Sequence, residues 1–134
     1  MEKEMPMPAS LTLDCVALDC REPEELARFY SELTGWPIDA DGDPTGEWVV
    51  VRNPDGGVDL AFQRDPEHEP STWPSRERPQ MLHLDFDVTD PDAEHRRVLD
   101  LGARLLDDTP ANFTVYADPA GHPFCLVRAS PQAD

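Results

Sequence analysis

The chain is poor in positive charge. It has 11 Lys and Arg residues against 28 Asp and Glu residues, which gives a formal net charge of −17. Proteins that bind the phosphates of nucleic acids or the heads of anionic lipids rely on positive charge. The balance therefore argues against nucleic acid and membrane as partners, and we expect a small organic molecule instead.

Cysteine is also scarce. The chain has 3 cysteines, and no two of them form a CxxC pair. An odd number without close pairing does not make a disulfide framework. We expect free thiols that are either buried or act as ligands.

Long hydrophobic runs are missing. No run approaches the length needed to cross a membrane, and the start MEKEMPMPAS has no apolar core of the signal-peptide type. We therefore expect a soluble cytoplasmic protein. A length of 134 residues suffices for one hydrophobic core but not for two independent ones.

What the chain does contain is an internal repeat. Cys15–Glu25 (CVALDCREPEE) aligns without a gap with His83–Ala93 (HLDFDVTDPDA). Apolar residues occupy every second position, which predicts a strand with one buried face: Val16, Leu18 and Cys20 in the first copy, and Leu84, Phe86 and Val88 in the second. The opposite face carries Cys15, Ala17 and Asp19, and then His83, Asp85 and Asp87. Any chemistry is expected on this second face.

Each copy continues in the same order, so the pattern predicts two modules in one domain spanning residues 11–128. Module one, about residues 11–64, is predicted as a strand, a helix that begins near Pro23 and ends at Gly35, and three strands. The predicted strands of module one are Leu11–Cys20, Pro37–Ala40, Glu47–Asn53 and Val58–Gln63. A proline-rich linker, about residues 65–79, leads to module two, about residues 80–128. Module two repeats the first strand, a helix from Asp90-Pro91, and the strands Ala103–Asp107, Phe113–Ala117 and Pro123–Arg128. Residues 1–10 and 129–134 are predicted to be flexible tails.

Three short stretches carry a family resemblance. They are the Phe29-Tyr30 pair, the LTGW run Leu33–Trp36, and the DPAGHPFCL turn and strand Asp118–Leu126. Together with the repeat, they resemble the vicinal oxygen chelate superfamily, which has the glyoxalase, bleomycin-resistance and extradiol dioxygenase fold, and its glyoxalase-like branch most of all. The resemblance implies an α+β fold. Two tandem βαβββ modules would form a single cleft-shaped mixed sheet, a half-barrel, with the helices on its outer face.

The resemblance also implies positions for metal ligands. They fall on Cys15, Asp59, His83 and Cys125, with Gln63 as the alternative to Asp59. Of these, only His83 is the residue that the family normally uses. Cysteine and histidine suit zinc or iron, but free cysteine is also a common buried residue. We therefore expect no firmly held cofactor, with a divalent metal as the alternative.

Further candidates complete the expected site. Trp48 and Gln63 are expected to bind ligand together with His83, Asp85 and Cys125. His83 and Asp85 are the catalytic candidates, because a carboxylate can orient an imidazole or act as a general base. Trp36 is expected in the core. His95 and His122 are expected at the surface, and His68 lies in the linker.

Two functions remain open at this stage. The first is a metal-free protein that binds a small aromatic or cationic molecule in its cleft. The alternative is a metal-dependent lyase, isomerase or dioxygenase of the glyoxalase type, so enzymatic activity is left undecided. Because the fold often pairs through exposed strand edges, the resemblance also implies a homodimer.

Overall fold

The computed structural model describes residues 10–129. In this range the elements follow the predicted order of strand and helix, then further strands, in each module. They are β1 (Cys15–Cys20), α1 (Pro23–Thr34), β2 (Trp48–Val51), β3 (Asp59–Arg64), β4 (Leu84–Val88), α2 (Pro91–Leu101), β5 (Arg104–Asp107), β6 (Phe113–Ala117) and β7 (Pro123–Arg128). The predicted tails fall almost entirely outside the described residues.

The strands form one sheet per module. The first sheet has the order β1-β3-β2 and the second has the order β4-β7-β6-β5. In both, the first strand of the module runs parallel to the last, with Cys15 opposite Asp59 and Leu84 opposite Phe124. The other neighbours are antiparallel. The sequence repeat is thus a structural repeat.

The α+β class and the two-module architecture are confirmed, with one difference in hydrogen bonding. The resemblance implied a single continuous mixed sheet, whereas the described strands form two. Every ladder lies within a module, so the edge strands β1 and β4 do not pair with each other.

Two predicted strands of module one are shorter in the structure. β1 begins at Cys15 rather than Leu11, because its partner β3 begins at Asp59 and the ladder has nothing to pair with earlier. The segment Pro37–Ala40 forms only one isolated bridge, between Ile38 and Val51. Proline lacks the N–H that a regular ladder requires, and a turn follows the segment within a few residues.

The helices begin and end as the sequence predicts. Pro23 lies at the start of α1, Glu24 and Glu25 occupy its first turn, and Gly35 ends it with a left-handed φ of 77°. In α2 the Asp90 side chain caps the helix by accepting a hydrogen bond from the backbone N–H of Ala93. Neither helix has the length and apolar character that crossing a membrane requires.

Helix α1 lies against both sheets. Its Tyr30 ring stacks on Phe62 of the first sheet at 5.5 Å and lies 6.2 Å from Phe124 and 6.4 Å from Phe86 of the second. Complete burial of an aromatic side chain of this kind contributes about 1.5–3 kcal/mol. One hydrophobic core therefore joins the two modules and leaves the other face of each sheet for polar side chains.

A buried hydrogen bond also joins the modules. The Tyr30 hydroxyl donates to Asp118 Oδ2 at 2.6 Å, and Asp118 Oδ1 accepts from the backbone N–H groups of Ala120 and His122. Burial raises the pKa of Asp118, although these hydrogen bonds lower it in part. Burial and the neighbouring Asp118 charge raise the pKa of Tyr30. The turn between β6 and β7 is thus fixed to α1.

Residues 65–82, the connecting segment, contain no helix or strand but are held by hydrogen bonds. The backbone N–H of Thr72 donates to the carbonyl of Arg78 at 2.7 Å, which closes a loop. The Nε of Arg78 donates to the carbonyl of Pro70 at 2.9 Å. The predicted linker is therefore a structured loop that packs on the rest of the protein.

Candidate functional site

The candidate site lies on the face of the second sheet that points away from the helices. Strand alternation places Leu84, Phe86 and Val88 toward the core and leaves Asp85 and Asp87 exposed. Asp85 lies opposite Cys125 of β7 in the ladder. His83 precedes β4 by one residue and is exposed. The sequence prediction that these three side chains share a face is confirmed by the register and their positions.

The three side chains come close enough to act together. His83 Nε2 lies 3.3 Å from Asp85 Oδ1, and the candidate ligand atoms of His83, Asp85 and Cys125 all lie within 4.8 Å of one another. Asp85 is thus placed to orient the imidazole or to take a proton from a bound molecule.

The Cys125 thiol is held in its protonated form. Burial and then the negative charge of Asp85 raise the pKa of Cys125 to about 11. Asp85 also accepts a hydrogen bond from this thiol, which favours the neutral form further. At neutral pH Cys125 is therefore a neutral thiol beside Asp85 and His83, and it is a poor nucleophile.

The corresponding position of the first sheet differs. Cys15 lies opposite Asp59, and burial, followed by the charges of Asp14 and Asp59, raises the pKa of Cys15. The carboxylate of Asp59 is already engaged. Its Oδ1 accepts from the backbone N–H of Asn53 at 2.8 Å, and its Oδ2 accepts from Arg52 at 2.8 Å. These bonds lower the pKa of Asp59 and hold the turn between β2 and β3.

These contacts test whether the side chains fit a metal ion. Among residues 10–129, one group of three or more candidate ligands occurs, and it contains His83, Asp85 and Cys125 but neither Cys15 nor Asp59. Nitrogen, oxygen and sulfur donors of this kind match zinc chemistry, but the thiol would first have to lose its proton. The predicted four-residue set is thus not assembled in one described chain, and its role as a metal site stays a prediction.

Trp48 and Gln63 lie on the first sheet. They are opposite each other in the ladder between β2 and β3, and Gln63 also lies opposite Asp19 of β1. Gln63 is exposed and Trp48 is half-buried. Trp48 borders a depression of about 420 Å³ next to α1 and the loop after Ile38. Their expected part in ligand binding stays a prediction.

A larger cavity lies where the modules meet. This junction groove has a volume of about 460 Å³, and its walls come from β1, the connecting segment and the residues before His83 and Cys125. Its lining includes Ala17 and Asp19 of β1, Met81 and Leu82 just before His83, and Pro123 two residues before Cys125. His83, Asp85 and Cys125 are not among its lining residues, so the groove meets the candidate site only through their chain neighbours Leu82 and Pro123.

Two histidines of this groove make contacts within the protein, although His122 was expected at the surface and His68 in the linker. His68 and His122 stack with ring centroids 5.0 Å apart. His68 Nε2 lies 2.9 Å from the Ala120 carbonyl oxygen, and His122 Nε2 lies 2.6 Å from the Asp19 carbonyl oxygen. Because a carbonyl only accepts, both Nε2 atoms carry hydrogen. His95, also expected at the surface, is half-buried, with its Nδ1 2.7 Å from the Tyr116 hydroxyl. No periodic pattern marks these contacts, since they join segments distant in the chain.

The fold matches that of known proteins. The glyoxalase-like domain family matches residues 15–127, so the chain belongs to this family. No protein of curated function shows significant sequence similarity to it.

Solved structures agree on the fold. A glyoxalase/bleomycin resistance protein/dioxygenase family enzyme from Burkholderia phytofirmans shares 17% identity with a TM-score of 0.69, over 90% of this chain and 100% of the other. A possible glyoxalase from Bacillus cereus shares 16% identity with a TM-score of 0.65, over 88% and 99%. TnmS3, an antibiotic-binding protein from a Streptomyces species, shares 22% identity with a TM-score of 0.62, over 92% and 100%. At these identities the likeness shows the fold alone.

Proposed function

We propose that this protein binds a small organic molecule at the open face around His83 and Asp85, without a firmly held metal. The observation that carries the proposal is the junction groove, about 460 Å³ in volume, whose lining residues Leu82 and Pro123 lie one residue before His83 and two before Cys125. Small-molecule sites are typically concave, mostly apolar and provided with a few polar groups, and this volume lies within their usual range. A binding member of the same fold, the antibiotic-binding TnmS3, supports the proposal.

The arrangement of the candidate ligands supports a site without a firmly held metal. Asp59 is bonded to Arg52 and Asn53, and neither Cys15 nor Asp59 joins the group of His83, Asp85 and Cys125 in the described chain. Without a metal, Cys125 donates to Asp85 and leaves His83 for a ligand.

The test is ligand binding by two variants. His83→Ala and Asp85→Ala should weaken binding of hits from a fragment library, measured by NMR chemical-shift titration, with little loss of stability. Both side chains are about half exposed, at 42% and 56%, so the fold does not depend on them. Asp92→Ala, an exposed residue on α2, is the matched control. Hits whose affinity is unchanged in both site variants would contradict this placement.

The second candidate is a metal-dependent lyase, isomerase or dioxygenase. It is favoured by one observation, namely the three donor atoms of His83, Asp85 and Cys125 within 4.8 Å. In that case Cys125 would bind the ion as thiolate and Asp85 would lose its hydrogen bond from the thiol. Added zinc should then raise the melting temperature of the wild-type protein but not that of Cys125→Ser.

We also propose that the protein forms a homodimer. Leu11 and Leu13 are 77% and 70% exposed, and they precede the edge strand β1. A second copy would cover these apolar side chains and the edge next to them. Light scattering should give twice the chain mass, and a monomer mass across a wide concentration range would contradict the proposal.

A further inference from the structure

We propose that the junction groove selects molecules that combine a positive charge and hydrogen-bond donors with an apolar body. This inference rests on the proposed small-molecule function and deepens it. It is carried by the state of the polar side chains that line the groove, because the donors of His68, His122 and Ser71 are occupied whereas the carboxylates of Asp19 and Glu77 are not.

The donors of the groove are used within the protein. The Nε2 hydrogens of His68 and His122 go to the carbonyl groups of Ala120 and Asp19. The Ser71 hydroxyl donates to the carbonyl of Arg78 at 3.0 Å. In their neutral form the two imidazoles therefore present only the acceptor Nδ1.

Arg78 is the one Lys or Arg residue among the lining residues of the groove, and it is held by the connecting segment. Its Nε donates to the carbonyl of Pro70 at 2.9 Å, and its Nη1 lies 3.6 Å from Glu69. A negatively charged ligand would thus have to compete with bonds that fold the loop. The groove therefore offers poor recognition of anions.

The acceptors are comparatively free. Within the described range, the carboxylates of Asp19 and Glu77, which line the groove, take part in no hydrogen bond or salt bridge of the folded chain. Gln80 also lines the groove, and its Oε1 is buried with no hydrogen-bond partner in the described structure. An unpaired buried acceptor is destabilising, and a ligand N–H satisfies it once the amide turns toward the groove.

The remaining lining residues fit an apolar body. Leu18, Pro79, Met81, Leu82 and Pro123 contribute hydrocarbon to the walls. Met81 is 91% exposed and has a flexible side chain, so it can close over a flat ring. Apolar walls with free acceptors and a net negative charge are complementary to an aryl or alkyl ammonium compound.

The experiment uses three aromatic probes of matched size. They are 1-naphthylmethylammonium, the neutral 1-naphthylmethanol and the anion 1-naphthoate, titrated into the full-length protein at low salt by NMR or fluorescence. The cation should bind at least tenfold more tightly than the alcohol, and the anion more weakly than both. Asp19→Asn and Glu77→Gln should each weaken the cation about two- to fivefold, as expected for exposed charge pairs, and leave the alcohol unchanged.

A matched control separates local charge from overall charge. Asp100→Asn removes one exposed carboxylate from α2, outside the groove, and should leave the cation affinity unchanged. Equal affinities for the three probes, failure of the cation to bind, or an equal effect of Asp100→Asn would each overturn the inference. If the probes bind equally but His83→Ala weakens them all, the proposed function stands and the charge selectivity fails.

Discussion

At the residue scale, the most consequential side chain outside the candidate site is Asp118. Its carboxylate is buried, yet it accepts three hydrogen bonds, one of them from the Tyr30 hydroxyl. Burial dominates, so the pKa of Asp118 is raised above that of the unfolded chain. The native state then binds more protons than the unfolded state in the interval between these two pKa values. The contribution of Asp118 to stability is present at low pH and is lost as pH rises through its native pKa.

Tyr30→Phe should therefore destabilise the protein in a pH-dependent way. At pH 7 the variant leaves a buried carboxylate without one donor, which should cost about 1–3 kcal/mol. Losing this donor raises the pKa of Asp118 further, because the ionised carboxylate has lost a hydrogen bond. The loss of unfolding free energy in the variant should therefore become smaller as pH falls and the carboxyl group is protonated. Urea denaturation at a series of pH values measures both effects.

Tyr116→Phe is the matched control for this change. It removes the same hydroxyl from a buried tyrosine whose partner is the half-buried imidazole of His95. Its cost at pH 7 should be smaller, because no buried carboxylate loses a donor. A Tyr30→Phe cost that is the same at every pH would show that Asp118 is not ionised in the native protein.

The site residues illustrate what a sequence can predict at this scale. His83 and Asp85 were expected on one face because alternation fixes the direction of each side chain, and the family resemblance added Cys125 to them. The contacts of Asp59 and His122 were not foreseeable, since Arg52 reaches Asp59 and Asp19 meets His122 only through tertiary packing.

At the element scale, the connecting segment depends on its packing against the turn between β6 and β7. Gly121 in that turn has a left-handed φ of 88°, and a Cβ there would lie 2.8 Å from Pro70 Cα and closer still to Pro70 Cβ. Only glycine allows this approach of two backbones.

Gly121→Ala should destabilise the protein more than Gly56→Ala. Gly56 has a similar φ of 78°, but nothing lies within 4 Å of the position of its added Cβ. It should therefore incur only the left-handed strain, about 1–2 kcal/mol. Gly121→Ala incurs the same strain and must also displace Pro70. Chemical denaturation compares the two, and equal costs would contradict the packing of the connecting segment described above.

The elements themselves were largely predictable. Helix α1 is marked at both ends by Pro23 and Gly35, and its bounds agree closely with the structure. The segment Pro37–Ala40 was wrongly predicted as a strand, since its β-prone Ile38 forms only a single bridge. Pairing depends on what lies beside a segment, and local sequence does not contain that information.

At the scale of the whole molecule, the repeat determines the architecture. Two copies of one module share a core through α1, which leaves the opposite faces of the two sheets outside that core. The sequence predicted this arrangement because the strand pattern occurs twice at the same spacing from a helix start. The sequence did not predict that the two modules would form separate hydrogen-bonded sheets, because no local signal shows which edge strands pair with each other.

The measurement that most directly tests the central claim is the metal content of the protein purified without added metal. The account predicts substoichiometric zinc and iron by elemental analysis, and a melting temperature that a chelator leaves unchanged. A metal that binds only the folded state would stabilise it, so its removal would lower the melting temperature. One tightly held ion per chain, lost in Cys125→Ser, would contradict the account.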